Sequence, residues 1–267
     1  MGNFPLRTPT LPPATHTNCW FLGQRELIIV DPGSPYEDEL DRIVQNIESM
    51  GELLRPLRIL LTHHHADHIG SVKYLVTHFG AKVLAHERTV PLLPFSVDRV
   101  LREGDELVTD LVSGSAQRWE VIYTPGHTMG HIVLYDHDSG SLIAGDMVAG
   151  EGTILILPEE GDLGEYLNSL ERLKTLGVSK VFPAHGPTLP PSVFADYIDH
   201  RNMRSRLIVN ALSTKAGLSP LELVPRIYQD LPTSYERVAS LQITTHLMWL
   251  AENSLAWRSP DGVWFRS

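Results

Sequence analysis

Residues 62–70, THHHADHIG, concentrate four histidines and one aspartate within nine positions. Alternate residues of an extended chain point the same way, so His63 and His65 can present two imidazoles to one metal ion while His64 points away. Asp67 and His68 follow a bend in the chain and can reach a second ion nearby. Imidazole nitrogen and carboxylate oxygen are ordinary zinc ligands. The stretch therefore predicts a metal site rather than a group of surface histidines.

Three further segments each place one residue of a ligand type just after a predicted strand. In chain order they are His127 in TPGHT after the strand 119–123, Asp146 in AGD after the strand 142–144, and His185 in PAHGP after the strand 180–182. In α/β sheets, the carboxyl ends of strands are where sites form. Four strand ends that each deliver a ligand type indicate one shared site.

The elements around the histidine cluster are typical of an α/β fold. The apolar run RILLT, residues 58–62, predicts a buried strand that ends at the cluster. We expect a helix over 70–79 and another strand over 82–85, and this order predicts two parallel strands joined by a crossover. Beyond about residue 190 the sequence becomes mainly helical. We therefore expect a catalytic domain over 1–190 and a helical subdomain over 191–267.

Local signals mark two helix starts and one irregular segment. The serine-to-glutamate spacing of a capping box occurs at Ser34 with Glu37 and again at Ser219 with Glu222. Each pair predicts a helix that begins directly after the serine. The proline-rich start, LRTPTLPPATHT, is the one stretch whose composition is typical of disordered chain.

Composition narrows the function classes. Of the 267 residues, 42% are hydrophobic and 20% are charged, which is ordinary for a globular protein. The formal net charge of −10 argues against a broad nucleic-acid surface, because phosphate binding depends on Lys and Arg. Cys19 is the only cysteine, so disulfides and a cysteine zinc site are excluded. Neither a membrane span nor a secretory signal is recognisable, so we expect a cytoplasmic protein.

The order HxHxDH, then a single histidine, a single aspartate and a single histidine, resembles the metallo-β-lactamase-fold hydrolases. The resemblance implies an α/β fold, the αββα sandwich, with seven metal ligands: His63, His65 and His127 on a first ion, Asp67, His68 and His185 on a second, and Asp146 bridging both. A narrower resemblance, to the lactamase-beta-like protein 2 family, rests on THTNCW, GEGT, YLNSLERL, PAHGP and YIDHR. It continues into a winged-helix-like C-terminal subdomain and so covers nearly the whole chain.

The implied chemistry is hydrolysis. Two adjacent zinc ions would hold a bridging hydroxide at neutral pH, because zinc lowers the pKa of bound water to about 7. We therefore expect a dinuclear zinc-dependent hydrolase that attacks an activated carbonyl in a thioester, ester, lactone or lactam. The catalytic residues would be Asp67, which orients the nucleophile, and Asp146, which holds both ions. The same ligands accept iron or manganese, so the sequence leaves the metal open.

Two other functions stay open. Endoribonuclease cleavage of single-stranded RNA is an activity associated with the lactamase-beta-like protein 2 family. The C-terminal subdomain alone could instead bind nucleic acid or a partner. A small-molecule or acyl-carrier-linked substrate suits the acidic composition, whereas no membrane partner is expected. A homo-oligomer is compatible with the sequence.

Three more residues are candidates for contacts around the ligands. Thr128 and His131, in TPGHTMGH, would orient the ligands through hydrogen bonds. His64 is either part of the wall of the site or a surface residue. The basic residues of HRNMR, residues 200–204, are expected on a solvated helix face rather than in a pocket.

Overall fold

The computed structural model describes residues 1–24, 26–51, 57–110 and 116–267. Contacts within the chain divide it into two compact units. The first unit comprises Met1–Thr124, Met129–Ile154 and Leu176–Pro191, and the second comprises Pro125–Thr128, Leu155–Thr175 and Ser192–Ser267. The second unit therefore includes two earlier segments besides the C-terminal region. Among the described residues, no helix combines the length and the apolar character needed to cross a bilayer.

The first unit contains a six-stranded mixed sheet whose strands lie in sequence order. Its strands are β1 (Gly2–Arg7), β2 (His16–Leu22), β3 (Leu27–Val30), β4 (Leu57–Leu61), β5 (Lys82–His86) and β6 (Arg99–Leu101). The pairs from β1 to β3 are antiparallel, and the pairs from β3 to β6 are parallel. The helices of this unit are α1 (Glu37–Ser49), α2 (Ala66–Ile69) and α3 (Val72–Phe79). The predicted crossover between two parallel strands is confirmed by β4, α3 and β5.

A second sheet of five strands completes the strands of the first unit. It consists of β7 (Glu106–Asp110), β8 (Ala116–Tyr123), β9 (Ile132–Asp136), β10 (Ser141–Gly145) and β11 (Lys180–Pro183). Neighbouring strands are antiparallel except for β10 and β11, which are parallel. The carboxyl ends of these two strands consequently lie at the same edge of the sheet. The two sheets and their helices confirm the α/β class.

Alternate side chains of β2 enter two different cores. Cys19 and Phe21 belong to a core that includes Ile43 of α1, whereas Trp20 belongs to a core that includes Trp119 of β8. The first sheet is therefore buried on both faces, which explains why its central strands are continuous apolar runs. Burial on both faces also fixes the register, because a one-residue slip would exchange the two sets of side chains.

The second unit is mainly helical. Its elements are α4 (Leu163–Thr175), α5 (Val193–Ala211), α6 (Pro220–Ile227), α7 (Glu236–Glu252) and the antiparallel pair β12 (Ala256–Arg258) and β13 (Trp264–Arg266). One core joins Ile208 of α5, Leu223 of α6 and Leu247 of α7. Leu218 pairs with Trp264 through two backbone hydrogen bonds of 3.0 and 2.8 Å. The winged-helix-like interpretation of this unit stays a prediction.

The capping box expected at Ser34 is wrong. The helix α1 begins two residues later than expected, after Tyr36, and has no side-chain cap. The buried Ser34 is held in the preceding loop, because its carbonyl oxygen accepts a 2.6 Å hydrogen bond from the hydroxyl of Ser71. That tertiary contact outweighs the local signal. The capping box that starts with Ser219, by contrast, opens α6 as predicted.

The expectation of disorder in the proline-rich start is also wrong. This segment, residues 6–17, begins in β1 and ends in β2, and β1 pairs with β2 along its length. Leu6 is fully buried, and the hydroxyls of Thr8 and Thr17 lie 2.9 Å apart. Its prolines, Pro9, Pro12 and Pro13, lie between the two strands, where they interrupt no strand pairing.

Candidate metal centre

The ligand-type residues of the first unit lie where neighbouring strands end. His63 and His65 follow β4, and the short helix α2 carries Asp67 and His68. Two residues come from the second sheet, where Asp146 follows β10 and His185 follows β11. Parallel pairing of β10 with β11 brings their ends together. The fold thus delivers six of the predicted ligands within the first unit.

Three of these residues form a first group. His63, His65 and Asp146 each offer one ligand atom within 4.8 Å of the others. The Nε2 of His63 lies 2.9 Å from the Nδ1 of His65. Two nitrogens bound to one tetrahedral zinc ion at about 2.0–2.1 Å would lie about 3.3 Å apart. This donor set therefore fits a metal ion after only a small adjustment.

A second group consists of Asp67, His68 and His185, whose ligand atoms also lie within 4.8 Å of one another. The Nε2 of His185 is 3.6 Å from a carboxylate oxygen of Asp67. The Oδ1 of Asp146 lies 3.5 Å from the Nε2 of His68 and 3.4 Å from that of His185. Asp146 therefore contacts the second group as well as belonging to the first.

Hydrogen bonds donated by Nδ1–H orient the imidazoles of the second group. His68 donates Nδ1–H to Asp31 over 2.9 Å, and His185 donates Nδ1–H to the carbonyl of His16 over 2.9 Å. The Nε2 of each ring consequently faces the cluster. The buried Nε2 of His68 lacks a hydrogen-bond partner among the described residues. A buried nitrogen without a partner is costly in a protein, and a metal ion would satisfy it.

Charge in the cluster favours a cation. Burial alone would lower the pKa of His68, but the carboxylates, led by Asp146 and Asp31, outweigh burial and raise that pKa well above its usual value. Burial lowers the pKa of His185 too, and Asp146 again reverses the effect. Burial opposes ionisation of Asp146, yet His185 and His68 hold its pKa well below the usual range. The carboxylates therefore favour positive charge at these histidines, and a metal ion would supply that charge.

Asp31 is a positioning residue that sequence reasoning missed. Its side chain is 2% exposed and accepts hydrogen bonds from the backbone N–H of Thr62 (2.8 Å), the hydroxyl of Thr62 (2.7 Å) and His68. It thereby fixes both the start of the histidine segment and the orientation of one ligand. An aspartate directly after β3, the parallel neighbour of β4, was the available signal.

His131 hydrogen-bonds to the backbone of a predicted ligand and does not offer its own lone pair to a metal ion. Its Nε2 accepts a 3.0 Å hydrogen bond from the backbone N–H of Asp146, so its proton is on Nδ1, which lies 2.9 Å from the hydroxyl of Thr124. This contact holds the turn that carries Asp146. His64 is half-buried, and its predicted place beside the site stays a prediction.

His127 and Thr128 belong to the second unit, on a turn that requires glycine. Gly126 has φ +135°, and a Cβ there would lie 2.2 Å from the Cα of Tyr166. The Nδ1 of His127 donates to the carbonyl of Leu155 over 2.7 Å, so Nε2 carries the lone pair. Thr128 is fully buried. The roles predicted for both residues stay predictions.

The expected solvated face at 200–204 is wrong for one residue. His200 is exposed and Arg204 is partly buried, but Arg201 is only 3% exposed. The guanidinium of Arg201 lies over the ring of Tyr166, 5.4 Å from its centroid. A side chain on α4 thus buries this arginine, which no local pattern in the sequence indicates.

Comparisons with known proteins agree with this geometry. The sequence profile of the Metallo-beta-lactamase superfamily matches residues 12–185. A beta-lactamase-like protein 2 homolog from Drosophila melanogaster is 31% identical over 251 residues, which cover 86% of this chain and 80% of the relative. An atrochrysone carboxyl ACP thioesterase from Aspergillus chevalieri is 28% identical over 233 residues, covering 84% of this chain and 71% of the relative.

A solved structure shows the same fold over almost the entire chain. The beta-lactamase domain protein from Burkholderia ambifaria superimposes with a TM-score of 0.86 at 23% identity, covering 99% of this chain and 91% of the other. At this identity the likeness concerns the fold alone. The family profile and the relative from Drosophila melanogaster show the family as well as the fold. The chain therefore belongs to the metallo-beta-lactamase superfamily of metal-dependent hydrolases and, within it, to the beta-lactamase-like protein 2 family.

Proposed function

We propose that this protein hydrolyses a thioester, or a related activated ester, lactone or lactam, at a pair of divalent metal ions. One observation carries the proposal: the first unit supplies two groups of ligand atoms, each gathered within 4.8 Å. A site for one ion would need a single group. Zinc is the first candidate for both ions, and iron and manganese fit the same donor atoms.

The ligand assignment follows the family pattern. A first ion would be held by His63, His65 and His127, a second by Asp67, His68 and His185, and Asp146 would bridge the two. The contacts of Asp146 with both His68 and His185 support its bridging role. Ions bound there would polarise the substrate carbonyl and lower the pKa of a water molecule.

Asp67 is the residue best placed to act on that water. Its side chain is 15% exposed, whereas the neighbouring His68 is fully buried, so Asp67 lies on the solvent side of its group. A carboxylate in this position can accept a proton from water and hold the oxygen for attack. Attack on the acyl carbon of a thioester breaks the C–S bond and yields a carboxylic acid and a thiol.

Two observations support an acyl substrate over a phosphodiester. A relative that aligns with 84% of this chain is named as an acyl-carrier-protein thioesterase. The formal net charge of −10 disfavours a long polyanion, because nucleic-acid binding gains much of its affinity from Lys and Arg. We therefore extend the proposal to small-molecule or acyl-carrier-linked thioesters.

The experiment compares substrates on metal-loaded protein. Acyl thioesters of increasing chain length, simple esters, lactones and end-labelled single-stranded RNA are each incubated with the native protein and with Asp67→Ala. The matched control is Asp138→Ala, because Asp138 is an exposed aspartate in the β9–β10 turn. All three proteins are purified identically, so that a contaminating nuclease or esterase appears in every sample.

We expect thioester cleavage by the native protein and by Asp138→Ala, with little or none by Asp67→Ala. A folded Asp67→Ala that keeps full activity would contradict the role of Asp67. Metal-dependent RNA cleavage that is lost in Asp67→Ala, with every acyl substrate left intact, would replace the acyl proposal with a nuclease.

A further inference from the structure

A second cluster of basic side chains lies within the helical unit. His200, Arg201, Arg204 and Ser205 occupy positions i, i+1, i+4 and i+5 of α5. Arg204 lies four residues after His200, and Ser205 lies four residues after Arg201, so each pair follows one side of the helix and the two pairs form one wide face. The face meets His246 of α7, since the hydroxyl of Ser205 lies 2.8 Å from the Nδ1 of His246.

Arg204 is held in place with most of its donors unused. Its guanidinium lies over the ring of Tyr228, 4.4 Å from the centroid, and one Nη donates to the carbonyl of Ile227 over 3.0 Å. A guanidinium has five N–H groups. Among the residues that the structure describes, no carboxylate contacts Arg204. Ring and carbonyl thus position a cation whose remaining donors are available to a ligand.

His246 contributes a buried nitrogen that is also available to a ligand. The residue is 0% exposed, and its Nε2 has no hydrogen-bond partner in the described part of the chain. Leaving a buried polar atom unpaired is costly in a folded protein. Because Nδ1 is held by Ser205, the ring presents Nε2 as the atom that a ligand would satisfy.

The electrostatic surroundings are positive. Burial, followed by the charges of Arg201, Arg204 and His200, lowers the pKa of His246 to about 3. Burial and the same two arginines also lower the pKa of His200. In a chain with a formal net charge of −10, a buried group surrounded by positive charge favours an anion.

We propose that Arg204, His200 and His246, beside the buried Arg201, form a binding site for a phosphate group. Guanidinium groups match the planar, paired oxygens of carboxylates and phosphates. The donors of Arg204, together with the positive charge of Arg201 beside it, favour the dianion of a phosphate monoester over a single carboxylate. The exposed His200 and the partly buried Arg204 form the entrance, and the Nε2 of His246 donates to the anion from inside.

This proposal does not rest on the reaction proposed above. Its residues belong to α5 and α7, and none of them is a predicted metal ligand. The ligand is a phosphate monoester, either free or as a terminal group of a larger molecule. The phosphate of a carrier-bound acyl group is a diester, which bears a single charge and would bind more weakly.

Inorganic phosphate is the first probe, titrated into zinc-loaded full-length protein at constant ionic strength. The readout is the ¹⁵N resonance of the His246 ring, identified by its loss in His246→Gln. The test variant is Arg204→Gln, and the matched control is Arg206→Gln, which removes an exposed arginine from the same helix. A phosphate monoester and a phosphate diester of similar size follow, to distinguish the two charge states.

We expect phosphate to shift the His246 resonance saturably in the native protein and in Arg206→Gln, and to bind at least 10-fold more weakly to Arg204→Gln. If Arg204→Gln does not fold, Arg204→Lys takes its place, because it keeps the charge and loses the paired donors. No shift in the native protein, or equal shifts in Arg204→Gln and Arg206→Gln, would overturn the proposal. A rise in Tm without a His246 shift would also overturn it, since phosphate would then bind elsewhere.

Discussion

Two fully buried histidines in this protein have surroundings that favour ligands of opposite charge. His68, in the first unit, is surrounded by carboxylates that raise its pKa well above the usual value despite burial. His246, in the second unit, is surrounded by guanidinium groups that add to burial and lower its pKa to about 3. The residue type and the degree of burial are the same. The neighbours alone decide whether the ring belongs to a site for cations or to a site for anions.

The neighbours also differ in how the fold supplies them. His68 receives its carboxylates from loops at the ends of strands, where Asp31 follows β3 and Asp146 follows β10. His246 receives its arginines from one face of the long helix α5. Strand ends gather residues that are distant in sequence at one edge, whereas a helix face repeats residues at fixed spacing. The first arrangement suits a compact ion, and the second suits a larger anion held by long side chains.

The largest effect is expected at the carboxylate that contacts both groups of the metal centre. Asp146→Asn keeps the shape of the side chain and removes its charge. We expect thioester turnover to fall about 1,000-fold, because loss of metal-assisted stabilisation is worth several kcal/mol. Turnover and metal content are measured on the same samples. Asp138→Asn removes an exposed aspartate and should leave both unchanged; equal losses in the two variants would reject a special role for Asp146.

The low pKa of His246 predicts that the free energy of unfolding decreases in acid. Its folded pKa is about 3, and an unfolded histidine titrates near 6.5. Between these values the unfolded chain binds a proton that the folded chain does not, so the free energy of unfolding falls as the pH falls. From pH 7 to pH 4.5, this group should cost the native protein about 3 kcal/mol.

The measurement is chemical denaturation of metal-free protein at both pH values, in buffers without phosphate. His246→Gln cannot gain that proton, so its free energy of unfolding should fall by about 3 kcal/mol less than that of the native protein. The metal ligands titrate equally in both proteins and cancel in the comparison. Parallel losses in the two proteins would show that His246 is not held neutral in the folded state.

An intermediate effect is expected at Asp31, which orients His68 without belonging to either group of ligand atoms. Asp31 has φ +53°, a conformation that asparagine tolerates, so Asp31→Asn tests the hydrogen bond rather than the backbone. Metal affinity should fall about 10- to 100-fold. Competition with a chromophoric chelator measures the affinity. The exposed Asp38, changed to asparagine, serves as the control; affinities that match the native value in both variants would remove Asp31 from the centre.

The smallest effect is expected for the hydroxyl of Ser205, which is hydrogen-bonded to His246. Ser205→Ala removes the 2.8 Å hydrogen bond to His246 and should lower the free energy of unfolding by about 1 kcal/mol. Thioester turnover should not change, because Ser205 is not a predicted metal ligand and its hydrogen bond goes to His246, which is not one either. Asn210→Ala, at an exposed position of α5, is the matched control. A Ser205→Ala protein as stable as the native one would mean that the hydrogen bond contributes nothing.

The sequence was informative wherever a signal was local. Ligand types directly after apolar runs predicted that the His/Asp side chains would gather, as the groups of ligand atoms show. The spacing of His63 and His65 predicted that two imidazoles would converge, and their nitrogens lie 2.9 Å apart. The capping box at Ser219 was equally local and is present. In these cases neighbouring residues alone determine the geometry.

Tertiary contacts account for what the sequence did not predict. Ser34 carries the pattern of a helix cap, but Ser71, far along the chain, holds it in the loop. Arg201 lies in a stretch that reads as solvated, and it is buried because Tyr166 packs against it. Asp31 follows a strand in the same way as Asp146 does. It was missed because DPG also reads as an ordinary turn, and only the pairing of β3 with β4 reveals its role.

The central claim is that this protein is a hydrolase that works with two metal ions held by its His/Asp ligands. The most direct test adds zinc stepwise to metal-free protein and follows cleavage of an acyl thioester at each step. We expect activity that rises with added zinc and reaches its plateau at two equivalents per chain. Thioester cleavage that is already complete in the metal-free protein, or that stays absent at every zinc level with every acyl substrate, would contradict it.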